Sequence, residues 1–111
     1  MAKIRVLIDT DIIIDSIKGV RAAKELFRTK ADDLYCSILT KKELLSKRGL
    51  KDSERKRIIT LLERTKVLRI DDDIHRKYMA LMKEYGESPH SIADYAIAAT
   101  AWSKKIPLLT Q

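Results

Sequence analysis

A chain of 111 residues, 45% apolar and with one cysteine, holds one domain with its own core, and it excludes an internal disulfide and a four-cysteine zinc site. No apolar run approaches the roughly 18 residues of a membrane span, and the opening residues show no signal-peptide pattern, so the expected compartment is the cytoplasm. The 23 Lys+Arg outnumber the 16 Asp+Glu, a net charge of +7 that suits nucleic acid, an acidic partner or a solvated charge-rich surface, while 5% aromatics argues against a stacking platform of the RRM or OB type.

Lys3 to Asp9 carries Ile4, Val6, Leu7 and Ile8, a run that predicts a strand buried on both faces. Thr10 to Lys18 predicts a short helix closed by Gly19, and Val20 to Thr29 a second, with Ala23, Leu26 and Phe27 at helical spacing. Leu34 to Leu39 predicts the second strand. Thr40 to Arg48 predicts a helix stopped by Gly49, and Lys51 to Thr65 another with Ile58, Ile59, Leu61 and Leu62 inward. Val67 to Ile70 is the third expected strand. Asp71 to Tyr85, ended by Gly86, places Ile74, Tyr78, Leu81, Met82 and Tyr85 on one stripe. His90 to Lys104 follows Pro89 as a helix, and Pro107 to Thr110 begins a fourth strand. Strands alternating with helices predict an α/β domain with a parallel sheet. The three glycines all fall at expected helix ends, where a left-handed residue is wanted. None is left for a phosphate-cradling loop, which excludes P-loop and dinucleotide-binding readings.

Ligands of open parallel sheets bind beyond the carboxyl ends of the strands. Asp9 is the first polar residue after Val6-Leu7-Ile8; it reads equally as a helix N-cap. Asp11 reads as a further acid or as a partner of the helix dipole. Glu43 follows the second strand, but Thr40-Lys41-Lys42-Glu43 also matches a capping box. Asp94 is the one carboxylate between Ser88 and Gln111, on a helix apolar on nearly every side, close to Ala98 and Ala101 and one turn after His90. A buried charge there would need a partner, His90 or a lysine, or a metal. In a parallel sheet Asp9, Glu43 and Asp94 can converge at one edge. Three such carboxylates repel one another unless a divalent cation offsets them, and hard oxygen donors without histidine or thiolate suit Mg²⁺ or Mn²⁺.

Leu7-Ile8-Asp9-Thr10-Asp11, Ser37 to Leu44, Asp94 to Ala101 and Leu108-Leu109-Thr110 together resemble the successive motifs of PIN-domain ribonucleases, with the VapC-type toxins of toxin–antitoxin pairs the most similar. The resemblance spans nearly the whole chain. It implies a three-layer α/β/α fold around a parallel sheet of about four strands. It also implies an endoribonuclease that uses Mg²⁺ or Mn²⁺, with Asp9, Glu43 and Asp94 as catalytic metal ligands. Thr10 and Thr110 match the family's supporting hydroxyl residues. The implied partners are an RNA substrate, an antitoxin protein and a second copy of the chain. Two departures stand out. Asp11 occupies a position that is most often Asn in the family. The chain also ends at Gln111, before the family's usual fourth acidic or amide residue, so residues 1–111 read as a single domain lacking the family's C-terminal end. That departure keeps a non-catalytic PIN-like module, binding RNA or protein, as the alternative.

From Lys41 to Arg57 there are eight Lys/Arg (Lys41, Lys42, Lys47, Arg48, Lys51, Arg55, Lys56, Arg57) against three acids. This stretch starts beside Glu43 and is expected to hold the RNA backbone without reading sequence; a solvated helical hairpin is the plain reading. Asp71-Asp72-Asp73 before His75 reads as a helix cap, Cys36 as core, Met79 and Met82 as core at helical spacing, and Tyr95 and Trp102 as packing or interface residues. Asp9-Thr10-Asp11 could also open a phosphatase of the haloacid-dehalogenase type. That motif wants Thr or Val where Ile13 stands, and later paired aspartates that the chain lacks.

Overall fold

The computed structural model describes residues 5–30, 33–86 and 92–110. Among them lie four strands and six helices. In chain order these are β1 (Val6–Ile8), α1 (Thr10–Ile17), α2 (Arg21–Lys30), β2 (Leu34–Ser37), α3 (Ile38–Leu45), α4 (Asp52–Arg64), β3 (Lys66–Leu68), α5 (Asp72–Tyr85), α6 (Ile92–Lys104) and β4 (Leu108–Leu109). The sheet order is β3-β2-β1-β4 and every pairing is parallel, with Leu7 beside Tyr35 and Leu108, and Cys36 beside Val67.

The alternation of side chains along the short strands divides the core between two faces. Ile8, Leu34 and Cys36 pack with Ile12, Ile13, Phe27, Leu44, Ile58 and Leu62. Leu7 points the other way, to Ile97 and Ile106, with Tyr35, Leu68 and Ala101 around them. A sheet covered on both faces is the α/β/α layering expected, and it explains the unbroken apolar run of β1, whose Leu7 and Ile8 are both fully buried. Asp71 caps α5, its Oδ1 accepting from the Ile74 N–H at 2.8 Å. Cys36 is buried as expected, and burial pushes its thiol up to about 12.

Three expectations are corrected. The second strand stops at Ser37, and Leu39 belongs to a helix; Ile and Leu fit either element, and the Ser37 hydroxyl caps α3 by accepting from the Leu39 N–H at 3.2 Å. The glycines are not uniformly left-handed. Gly19 (φ 88°) and Gly49 (φ 80°) are, but Gly86 is right-handed, at φ −61°. A Cβ at Gly86 would collide with the Met82 carbonyl. The left-handed residue that ends α6 is instead Lys105 (φ 54°), where the Ile106 N–H returns to the Ala101 carbonyl at 3.1 Å. On α5 only Ile74 is buried, and Met79 is 54% exposed, so the helical stripe is not all core. His90 lies outside the described residues, as does the start expected for the last helix.

Candidate active site

The polar site begins where β1 ends. Asp9 follows the buried Ile8 and caps α1, with Oδ1 accepting from the Thr10 N–H at 2.6 Å. The cap and the functional reading are therefore compatible, since a carboxylate has further lone pairs to offer. Parallel pairing brings β4 alongside: the Asp9 N–H donates to the Leu109 carbonyl at 3.2 Å. That contact places Thr110 next to the end of β1.

Glu43 owes its place to the early start of α3. With Ser37 as the cap, Thr40 sits inside the helix, fully buried, and the expected Thr40–Glu43 capping box is not formed. The Thr40 hydroxyl instead faces inward to the buried Thr10, their Oγ1 atoms 3.4 Å apart. Glu43, one turn on, is exposed. The part of its carboxylate that is covered raises its pKa above 4.5, and the charges of Asp94, Asp9 and Asp11 push the same way, opposed by Lys47. Asp9 is half-buried and raised above 3.8 by burial first, and further by Asp11 and Asp94; the Thr10 and Asp11 N–H groups oppose this.

Asp94 stands in the first turn of α6. The helix buries Tyr95, Ala96, Ile97, Ala99 and Thr100 but leaves Asp94 exposed, so the cost of a buried charge does not apply to it. A helix apolar around most of its circumference can still point one residue at solvent near its end. What marks Asp94 is its field at Asp9 and Glu43 and its place in a cleft of about 450 Å³.

That cleft joins Asp9, Asp94 and Thr110 on one side to Leu81, Tyr85, Tyr95, Ile97, Ala98 and Leu108 on the other. Glu43, Thr10 and Asp11 stand outside its walls. Among the described residues, no group of three or more His, Cys, Asp or Glu is drawn tightly enough together to hold a metal ion as it stands. A closed cage is not required, because Mg²⁺ commonly keeps several waters between itself and its carboxylates. The donor chemistry fits a hard divalent cation: all are carboxylate oxygens, and Asp9 and Glu43 are raised partly by one another's neighbours.

Sequence reasoning missed the apolar wall. Leu81 and Tyr85 are four residues apart on α5, spacing that reads as core, yet Tyr85 is 52% exposed. Of the expected basic stretch, Lys42, Lys47, Arg48, Lys51, Arg55, Lys56 and Arg57 are exposed and Lys41 is half-buried. Arg55 has a structural task as well, donating from Nη1 to the Leu45 carbonyl at 2.9 Å and so tying α4 to the end of α3.

Comparison with known proteins identifies the family. The PIN domain family model matches residues 6–111. Ribonuclease VapC10 of Mycobacterium tuberculosis is 31% identical, over 95% of this chain and 80% of its own length. A toxin–antitoxin complex from Klebsiella pneumoniae superposes with a TM-score of 0.77 at 28% identity, covering 95% of this chain and 84% of that one. VapBC2 from Rickettsia felis, solved with a DNA fragment from its promoter, gives 0.79 at 20% identity over 96% and 87%, a likeness of fold.

Proposed function

The chain belongs to the PIN-domain family as a VapC-type ribonuclease toxin of a toxin–antitoxin system, and from that premise we propose that Asp9, Glu43 and Asp94 together hold the divalent cation on which its RNA cleavage depends. The observation that carries the reading is the cleft that Asp9 and Asp94 line together, with Glu43 near enough to both to feel their charges. Beside partial burial, the charge of Asp94 pushes up both Asp9 and Glu43, and that of Asp9 pushes up Glu43. A fold gains nothing in stability from gathering like charges, so the gathering is spent on a ligand.

The ion is Mg²⁺ or Mn²⁺, and the chemistry it supplies when bound is an acidified water and neutralised charge on the phosphate and leaving oxygen. The chain's own groups do the rest. The Thr10 N–H donates to one oxygen of Asp9 and so holds the carboxylate at the end of the strand. Asp11 adds a fourth negative charge to the field at Asp9 and Glu43. Thr110 lines the same cleft as Asp9 and Asp94 and brings a hydroxyl that a phosphate could bond. Lys41, Lys42, Lys47, Arg48, Lys51, Arg55 and Lys56 draw the RNA backbone toward Glu43. Among the described residues none of these cations is in an ion pair that would consume its charge. The partners are an RNA substrate, a cognate antitoxin and a second copy of this chain. No helix among the described residues is long and apolar enough to cross a membrane.

The test is cleavage of a fluorescent unstructured RNA with Mn²⁺, with EDTA, and by Asp94→Asn. Cleavage should need the metal and fall at least about 100-fold in the variant, with far-UV circular dichroism unchanged. The alternative is a PIN-like module that binds RNA without cutting it. Binding without cleavage at any Mn²⁺ concentration would establish that reading instead.

A further inference from the structure

Half of the cleft is unexplained by metal chemistry. Next to Asp9 and Asp94 it is walled by Leu81 and Tyr85 of α5, Ile97 of α6 and Leu108 of β4. Tyr85 is 52% exposed and Leu108 37%, so neither is sealed in the core. Large apolar side chains left open beside carboxylates mark a binding surface rather than packing. The two halves are one cavity, so whatever occupies the acidic half reaches the apolar half within the same molecule. A phosphodiester does this: a flat base with an apolar face hangs from the sugar beside each phosphate. The cleft volume of about 450 Å³ lies in the range of roughly 300–1,000 Å³ of sites that enclose one small ligand.

Resting on the nuclease reading above, we infer that this apolar wall is a nucleobase subsite, in which an unpaired base next to the scissile phosphate stacks on Tyr85. Leu81 and Tyr85, one helical turn apart, present one continuous face to the cleft. Asp94, Ile97 and Ala98 share a face of α6, which sets the base wall and the carboxylate on one rigid element. The end of α5 is tied down by the Tyr95 hydroxyl, which donates to the Tyr85 carbonyl. That bond uses backbone, so it survives any substitution of the Tyr85 side chain. A base held in a Watson–Crick pair cannot offer its face to this wall, and stacking tolerates any of the four bases. The subsite therefore selects unpaired RNA near the cut without selecting sequence.

The test separates the subsite from the catalytic reading. Binding is read with a short unstructured oligoribonucleotide carrying 2-aminopurine at one position, on Asp94→Asn to prevent turnover. Stacking should quench its emission, and adding Tyr85→Ala should remove the quench and weaken binding about 5- to 150-fold. Tyr85→Phe and Tyr85→Trp should restore both. An oligonucleotide abasic at that position should bind as weakly to the wild-type residue as to Tyr85→Ala, with no further loss when the two are combined. Unchanged quench and affinity in Tyr85→Ala would overturn the subsite even if metal-dependent cleavage stands. An effect of Tyr85→Ala confined to binding of a protein partner would overturn it as well. If no RNA is cut by the Asp94-intact chain but Tyr85 still stacks the probe, the subsite holds and the catalytic reading fails.

Discussion

Replacing Glu43 by Gln should make the metal-free protein more stable, an unusual sign for a surface substitution. Partial burial raises the Glu43 carboxyl first, and the charges of Asp94, Asp9 and Asp11 raise it further, with Lys47 opposing. Its carboxylate is exposed, so solvent screening limits each like-charge pair to a few tenths of a kcal/mol, and three of them to about 0.5–1 kcal/mol. For 111 residues the unfolding entropy is on the order of 0.2 kcal/mol/K, so the melting temperature in EDTA should rise about 2–4 °C at low salt. The gain should fade toward 1 M NaCl, where the screening length falls to about 3 Å. The pH dependence follows from the raised pKa. The folded state holds the Glu43 proton above 4.5, where the unfolded chain has begun to release it, so stability falls as pH rises through that window and stays lower at neutral pH. Gln removes that fall, so the gain should be present at pH 7 and absent at pH 4. Saturating Mn²⁺ should invert the order: at about 100 times its Kd the ion adds about 2.7 kcal/mol to the wild type and much less to the variant. Differential scanning fluorimetry across salt, pH and Mn²⁺ measures all of this. A variant no more stable than wild type in EDTA at low salt would refute the convergence of these carboxylates.

Lys105→Gly should stabilise the fold by about 0.5–1 kcal/mol, because Lys105 carries a left-handed backbone (φ 54°) that glycine adopts without strain; thermal melting checks it, and a loss of stability would contradict it. Cys36, fully buried with its thiol pushed up to about 12, should resist a thiol reagent at pH 8 until the protein unfolds; labelling at the rate of a free thiol would refute that placement. Reversing Lys51 and Lys56 to Glu should weaken RNA binding and flatten its log–log salt slope by about 1.4; Arg55 is left in place because its guanidinium holds the Leu45 carbonyl. An unchanged slope would leave this stretch a solvated hairpin.

What the sequence reveals and what it hides follow from how local each signal is. The strand Val6–Ile8 and the turn at Asp9 are legible because an apolar run buried on two faces ends abruptly at a carboxylate. Glu43 is half legible: its distance from β2 is right, but Ser37 and Thr40 both have hydroxyls fit to cap a helix, and Ile38-Leu39 between them suits strand or helix. Tertiary contact decides, because the buried Thr40 packs its hydroxyl against Thr10 from another element. Asp94 is identified by its isolation in an apolar helix, though the reason first attached to it, burial, is not the one the fold supplies. Tyr85 is illegible, since a period of 3.6 residues marks a face without saying whether that face meets the core or a cleft.

The central claim is that the three carboxylates form one cation site, and titration calorimetry of Mn²⁺ tests it without any knowledge of the RNA target. Wild type should bind, while Glu43→Gln and Asp94→Asn, both folded, should each bind at least about 10-fold more weakly, each having lost one charged oxygen ligand. Equal binding by all three proteins, or none by the wild type, would contradict it.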